Sequence, residues 1–161
     1  LADVAIIGGS PARFRPLAQL HAEAAREAGH AGDIPVGINI HGYVAETSER
    51  AAEEFYAPFA QVMTQLGRER GWSAMTPGQY EAMRSPLGAL AVGEPAEVAE
   101  KILAIHRVFG NRRFLMQMSG GTMPHADEMR SSELYATEVA PVVRAEVARR
   151  ETAGAAAGSA G

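Results

Sequence analysis

The sequence predicts an α/β fold built on a parallel sheet, and three observations carry that reading. Short apolar, β-branched runs occur at Val4 to Ile7, 34 to 45 and 112 to 119, each bounded by glycine. Amphipathic helical patterns alternate with these runs along the chain. Every connection between successive runs is long enough to hold a helix, so the crossovers are right-handed and the strands parallel, covered by helices on both faces.

The elements follow in order. Val4 to Ile7 closes on Gly8-Gly9, and Ser10 with Pro11 supplies a helix N-cap and first position. Phe14, Leu17, Leu20, Ala24 and Ala28 recur at helical spacing, with Gly29 as the stop. The second strand, 34 to 45, ends near Gly42. Thr47 or Ser48 then caps a long helix that Pro58 should kink. Residues 72–90 hold two prolines, two glycines and the only tryptophan, and read as an excursion with one short helix capped by Thr76 and Pro77. Pro95 starts a helix whose Val98, Ile102, Ile105 and Phe109 share a face, and Gly110 ends it. The third strand follows at 112 to 119. Pro124 opens the last helix, which Pro141 bends or breaks. From Thr152 the small-residue composition marks a flexible tail, so the domain spans 1–150 and the tail 151–161.

Composition narrows the function. The 161 residues are 47% hydrophobic and 21% charged, in the range of globular proteins. No apolar run approaches the roughly 20 residues that cross a bilayer. No signal pattern directs the chain elsewhere, so the expected compartment is the cytoplasm. The absence of cysteine excludes disulfides, thiolate metal sites and Cys nucleophiles. A net charge of -4 with a single lysine, Lys101, argues against a nucleic-acid partner. The expected partners are a small-molecule substrate and further copies of the chain, with no membrane. The chain starts without methionine, directly in a strand, and the expectation is the C-terminal piece of a longer protein. Three strands also fall far short of a closed (β/α)₈ barrel, which needs about 250 residues.

Ligands of parallel α/β folds sit beyond the C-terminal ends of the strands. Three segments occupy those ends: Gly8-Gly9-Ser10, His41-Gly42-Tyr43 and Ser119-Gly120-Gly121-Thr122. Each is open to a plain-turn reading and to a reading as a place where backbone N–H groups approach a ligand. Gly8, Gly9 and Ser10 lead into a helix N-terminus suited to an anion, and Arg13 one turn later could add a charge-assisted bond to phosphate. His41 is a weak candidate for general acid or base, or for a hydrogen bond to a ligand carbonyl; the alternative is a His satisfied within the fold. On the third strand Met116 and Met118 share one face and Gln117 takes the other. If Gln117 points inward, its amide suits a planar polar ring; if the methionines do, they form an adaptable apolar wall. His125 stands in the first turn of the last helix, where a neutral imidazole is expected. No metal site is expected. Glu53-Glu54 and Asp127-Glu128 read as solvated helix faces. No Ser-His-Asp order, Walker loop or mechanistically spaced carboxylate pair occurs, so the residues alone support binding of an anionic cofactor rather than covalent hydrolysis.

"AIIGGSPARFRPLAQLHAEAAREAGH", "VGEPAEVAEKI" and "SGGTMPHADEMRSSELYATEVAPVVR" together resemble the C-terminal part of the luciferase-like monooxygenase family. The element from Val92 to Ile102 and the ending from Met129 to Pro141 are the most specific parts, and the similarity spans residues 1 to about 150. The resemblance implies the C-terminal portion of a (β/α)₈ TIM barrel, about three βα units, with the excursion before the last helix-strand unit. It implies a flavin-dependent monooxygenase or oxidoreductase using reduced FMN, or in some branches F420, with O₂ and a small organic substrate. The flavin would be supplied reduced by a reductase or NAD(P)H. Their positions at the strand ends, rather than matched motifs, put Gly8, Gly9 and Ser10, with Arg13 one turn on, on the flavin side of the mouth, and His41, Gln117, Ser119 and Gly120 around the ring or substrate. Much of the family's catalytic equipment lies on earlier strands, so the 161 residues alone are expected to be inactive. Two other readings stand beside this one: a small non-catalytic α/β domain that binds a phosphate ligand, and a non-catalytic barrel relative serving as a dimerisation scaffold.

Overall fold

The structure, a computed structural model, describes residues 2–6, 10–30 and 34–158. Its centre is strand β2, Val36–Val44. β1, Ala2–Ile6, pairs with β2 in parallel from Ala2↔Val36 to Ile6↔Ile40. The last strand, β4 (Arg113–Gln117), pairs with nearly the same stretch, from Gly37↔Arg113 to His41↔Gln117. Two strands bonded to one stretch must flank it, so β2 is the middle of the sheet. A further strand, β3 (Ala91–Gly93), pairs in parallel with Gly42 to Val44 at the C-terminal end of β2.

That fourth strand corrects the sequence reading, which counts three. β3 is only three residues long, and the helix behind it begins two residues later at Pro95. A run that short carries no alternation to detect.

Helices cover the sheet in two clusters. α4, Pro95–Phe109, turns Val98, Ile102 and Ile105 onto Ile38, Ile40 and Val44 of β2, with Val139 completing the cluster. This is the stripe the spacing predicts, and Gly110 ends the helix in the left-handed conformation. On the other side α2, Ser48–Arg70, brings Phe55, Phe59 and Met63 against Tyr43 and Val92. Thr47 caps α2 by accepting from the Arg50 N–H, and the helix runs unbroken through Pro58. α3, Pro77–Arg84, is the short helix of the excursion, and Thr76 and Gln79 form a reciprocal capping box at its start.

At either end of the chain the structure departs from expectation. A single turn of 3-10 helix, Pro11–Phe14, leads into α1, Arg15–Glu27. Of the apolar positions at helical spacing, Phe14 packs against the α4 cluster, whereas Leu17 and Leu20 are 58% and 60% exposed and Ala25 is the buried residue of this helix. At the C-terminus, α5 (His125–Leu134) passes into a π-helical turn, Tyr135–Val139, and then into α6, Ala140–Gly158. The widened turn directly precedes Pro141, whose missing N–H and bulky ring do not fit a regular helix. The helix is therefore locally unwound rather than broken. α6 continues through Thr152 to Gly158, where the sequence reading places a flexible tail; its alanines favour helix.

Gly42 also has a different task from the one its sequence context suggests. It lies inside β2 on the helix-facing side, and a Cβ there would strike Met116 Sδ and the Ala91 carbonyl. Its small size lets β2, β3 and β4 converge, and its backbone is committed to the sheet rather than offered to a ligand.

Among the described residues, no helix is long and apolar enough to cross a membrane.

Candidate functional site

The face of β2 and β4 turned away from α4 is the part of the sheet least covered by helices. Along β4, Phe114 and Met116 lean into the core, while Arg113, Leu115 and Gln117 are exposed. This resolves the alternation: Met116 is a packing residue and Gln117 stands on the open face. Met118 is half-buried and receives the Ser131 hydroxyl on its sulfur at 3.6 Å. Register carries the same face onto β2, where His41 pairs with Gln117 and Asn39 with Leu115. His41 and Gln117 thus come together at the C-terminal ends of two adjacent parallel strands.

His41 is half-buried and meets the Phe59 ring edge-on, with centroids 5.5 Å apart. Burial lowers its pKa below the ordinary value, so the imidazole is neutral at pH 7 and offers one donor and one acceptor. Two residues on, Tyr43 passes beneath α2, stacks on Phe55 and donates its hydroxyl to Glu54 Oε2 at 2.8 Å. Burial, reinforced by that carboxylate, raises the phenol's pKa, so it remains a donor. Glu54 also accepts from Arg50 Nε at 2.6 Å, and both Arg50 and Arg130 are ion-paired to Glu46. Glu54 was read from sequence as a solvated residue. The i, i+4 spacing from Arg50 was the one visible sign of its engagement, since its tyrosine partner lies eleven residues away.

The loop after β4 divides its two glycines between different tasks. Gly121 has φ +58°, and a Cβ there would come within 2.7 Å of Val62 on α2. Beside it Thr122 donates to Gln61 Oε1 at 2.8 Å, and Met123 is buried in the α2 cluster. Gly121 therefore anchors the loop on α2. Gly120 has nothing within 4 Å of where a Cβ would sit, and Ser119 is exposed. The open backbone at Ser119 and Gly120 follows directly from Gln117.

The remaining predicted residues are placed elsewhere. Gly8 and Gly9 lie outside the described residues. The Ser10 carbonyl accepts from the Arg13 N–H at 3.0 Å, while its hydroxyl makes no capping bond. Ser10 lines a cleft of about 650 Å³ whose wall includes Trp72, Met75, Met83 and Leu87 of the excursion. Arg13 is exposed. No hydrogen bond or ion pair among the described residues joins Ser10 or Arg13 to His41, Gln117, Ser119 or Gly120. Sequence reasoning also missed Ser131, fully buried on α5, whose Oγ accepts from the Val44 N–H at 2.8 Å and ties the end of β2 to the last helix.

Comparison with known proteins places this geometry in context. The family model for luciferase-like monooxygenases matches residues 1–112. No match was found among curated proteins. The fold is similar to that of the monooxygenase RslO1 from Streptomyces bottropensis, with 23% identity, a TM-score of 0.65, and coverage of 86% of this chain and 40% of that one. It is also similar to the oxygenating constituent of 3,6-diketocamphane monooxygenase from Pseudomonas putida, solved with FMN, at 20% identity and TM-score 0.63, covering 88% and 42% of the two chains. The riboflavin lyase RcaE, solved with modified FMN and riboflavin, gives 16% identity and TM-score 0.55, with 89% and 38% covered. The chain thus spans about 40% of the length of these solved structures.

Proposed function

The chain belongs to the luciferase-like monooxygenase family, and from that premise we propose that it forms part of a flavin-dependent monooxygenase acting on a small organic substrate with O₂. The cofactor is reduced FMN, with F420 as the alternative, and it is delivered reduced by a reductase or by NAD(P)H. The protein works in the cytoplasm as a homo-oligomer. The observation that carries this reading is the pairing of His41 with Gln117 on the open face, at the strand ends where ligands of parallel α/β folds bind.

The residues present fit the polar edge of a flavin ring. Gln117 offers an amide donor and acceptor, His41 a neutral imidazole, Ser119 a hydroxyl, and Gly120 a backbone with no side chain in the way. Ser10 and Arg13, with Gly8 and Gly9, are the candidates for the phosphate side: the hydroxyl makes no capping bond and the guanidinium has no ion pair among the described residues. When bound, reduced flavin supplies the electrons that activate O₂. The chain's own part is to orient the ring by hydrogen bonds, keep His41 uncharged beside it, and shut water out with the Phe59 side of α2. Because the chain spans about 40% of its structural relatives, the 161 residues alone turn over slowly or not at all.

Anaerobic titration of the whole gene product with reduced FMN and with reduced F420, followed by admission of O₂, tests this. Saturable binding of one of them, and oxygen consumption that a substrate accelerates, are expected. Absence of binding for both would overturn the reading and leave the dimerisation scaffold.

A further inference from the structure

At the opposite end of the strands lies a second cavity that the flavin reading does not use. It has a volume of about 910 Å³ and lies among α1, α4 and α6, where the chain enters β2 and β4. Val36 and Phe114 line it, whereas His41 and Gln117 do not. Five strand positions separate Val36 from His41, about 16 Å at some 3.3 Å per residue. The two places are distinct.

The wall of this cleft is amphipathic. Ile102 and Phe109 of α4 and Val143 and Val147 of α6 give an apolar lining. Three arginines, Arg112, Arg113 and Arg144, stand against one carboxylate, Glu151. Arg113 alternates onto the open face of β4 with Gln117, which leaves Arg112 and Arg144 as the cations for the cleft. Neither forms an ion pair among the described residues, although five other arginines do. Arg144 lies close enough to Tyr135 to oppose the upward shift that burial gives its phenol.

Two buried polar atoms in the same wall also lack partners. Asn111 is 7% exposed; its Nδ2 donates to the Arg113 carbonyl at 2.9 Å, while its Oδ1 accepts nothing. Rotating the amide would set its oxygen against that carbonyl, so the free group is an acceptor. His21 Nδ1, across the cleft on α1, is likewise buried without a partner. Both atoms are closed off from the cleft as well as from solvent, so a ligand in the cleft is held by the arginines and the apolar wall rather than by them.

We propose that this cleft is a second binding site, for an amphipathic anion with an apolar chain and a carboxylate or phosphate head held by Arg112 and Arg144. Guanidinium pairs with either head group, and apolar wall lies beside them. The proposal goes beyond the flavin reading and stands without it.

Isothermal titration of the full chain with decanoate, decyl phosphate and decanol, each below its micelle-forming concentration, tests the site. At least one anion should bind, with decanol weaker by about tenfold or more. A stronger response to decyl phosphate would identify the head group as phosphate, and a stronger response to decanoate as carboxylate. Arg144→Gln, an exposed position whose folding is checked by circular dichroism, should weaken the anions about tenfold, and Arg149→Gln, an ion-paired arginine that does not line the cleft, should not. Equal binding of decanol and the anions, no effect of Arg144→Gln, or no binding at all would overturn the proposal.

Discussion

The helix-covered face of β2 and its open face are made from alternate residues of one strand, yet they are held in opposite ways. Ile38 and Ile40 are 0% and 1% exposed and lie in a closed cluster with α4. Asn39 and His41, their immediate neighbours, stay half-covered, beside the exposed Leu115 and Gln117. The segment from Val92 to Ile102 is divided between the two helix clusters, Val92 lying in that of α2 and Val98, Ala99 and Ile102 in that of α4. In Val92 to Ile102, the Ser48 hydroxyl accepts from the Glu94 N–H at 3.1 Å and donates to Glu97 at 2.5 Å, while Lys101 donates to the Ser85 carbonyl. These bonds clasp the start of α2 and the end of α3 to α4. The segment is thus a fastening, and the candidate chemistry sits at Asn39, His41 and Gln117, where side chains lack such partners among the described residues.

Truncating the covered face should give the largest effects. Ile40→Ala removes a side chain from the closed cluster and should cost about 2–5 kcal/mol, seen as a lower urea midpoint. Ser131→Ala leaves the buried Val44 N–H without its acceptor and should cost about 1–3 kcal/mol in the same assay. Gly42→Ala forces Met116 and the Ala91 carbonyl apart, at about 1–3 kcal/mol. Gly120→Ala, with open space around it, should lie within about 0.5 kcal/mol of the parent. A Gly120 variant as damaged as the Gly42 one would erase the distinction drawn between them.

Lys101 gives a smaller effect, visible in pH. Burial lowers its pKa to about 8, against an ordinary value of 10.5. The unfolded chain therefore holds the proton at pH values where the folded chain has released it, and stability from this group rises as pH increases through that window. The urea midpoint should climb between about pH 8 and pH 9.5, before the tyrosines titrate, and Lys101→Met should flatten the climb. An unchanged slope in the variant would show that the ammonium is not desolvated.

What the sequence disclosed follows the range of the interaction. α4 was legible because Val98, Ile102 and Ile105 recur at helical spacing, and α3 because Thr76 and Pro77 are local signals. His41 and Gln117 were legible as strand-end residues, since alternation and the direction of a parallel sheet are local rules. β3 was not, because three residues carry no period. The exposure of Leu17 and Leu20 on α1 was hidden, because spacing identifies an apolar face but not what covers it. Ser131 and Glu54 escaped notice because their partners, Val44 and Tyr43, are distant in sequence. The fate of the two glycines after β4 was equally hidden, since only Val62 on α2 tells Gly121 from Gly120.

The claim that the open face serves binding while the covered face serves stability comes down to Gln117→Ala. Its flavin affinity and urea midpoint should be measured side by side with the parent, on the whole gene product. A loss of about tenfold in affinity for reduced flavin, with a midpoint shifted by less than about 0.5 kcal/mol, is the predicted result. Unchanged affinity, or a loss of stability large enough to account for the weaker binding, would contradict it.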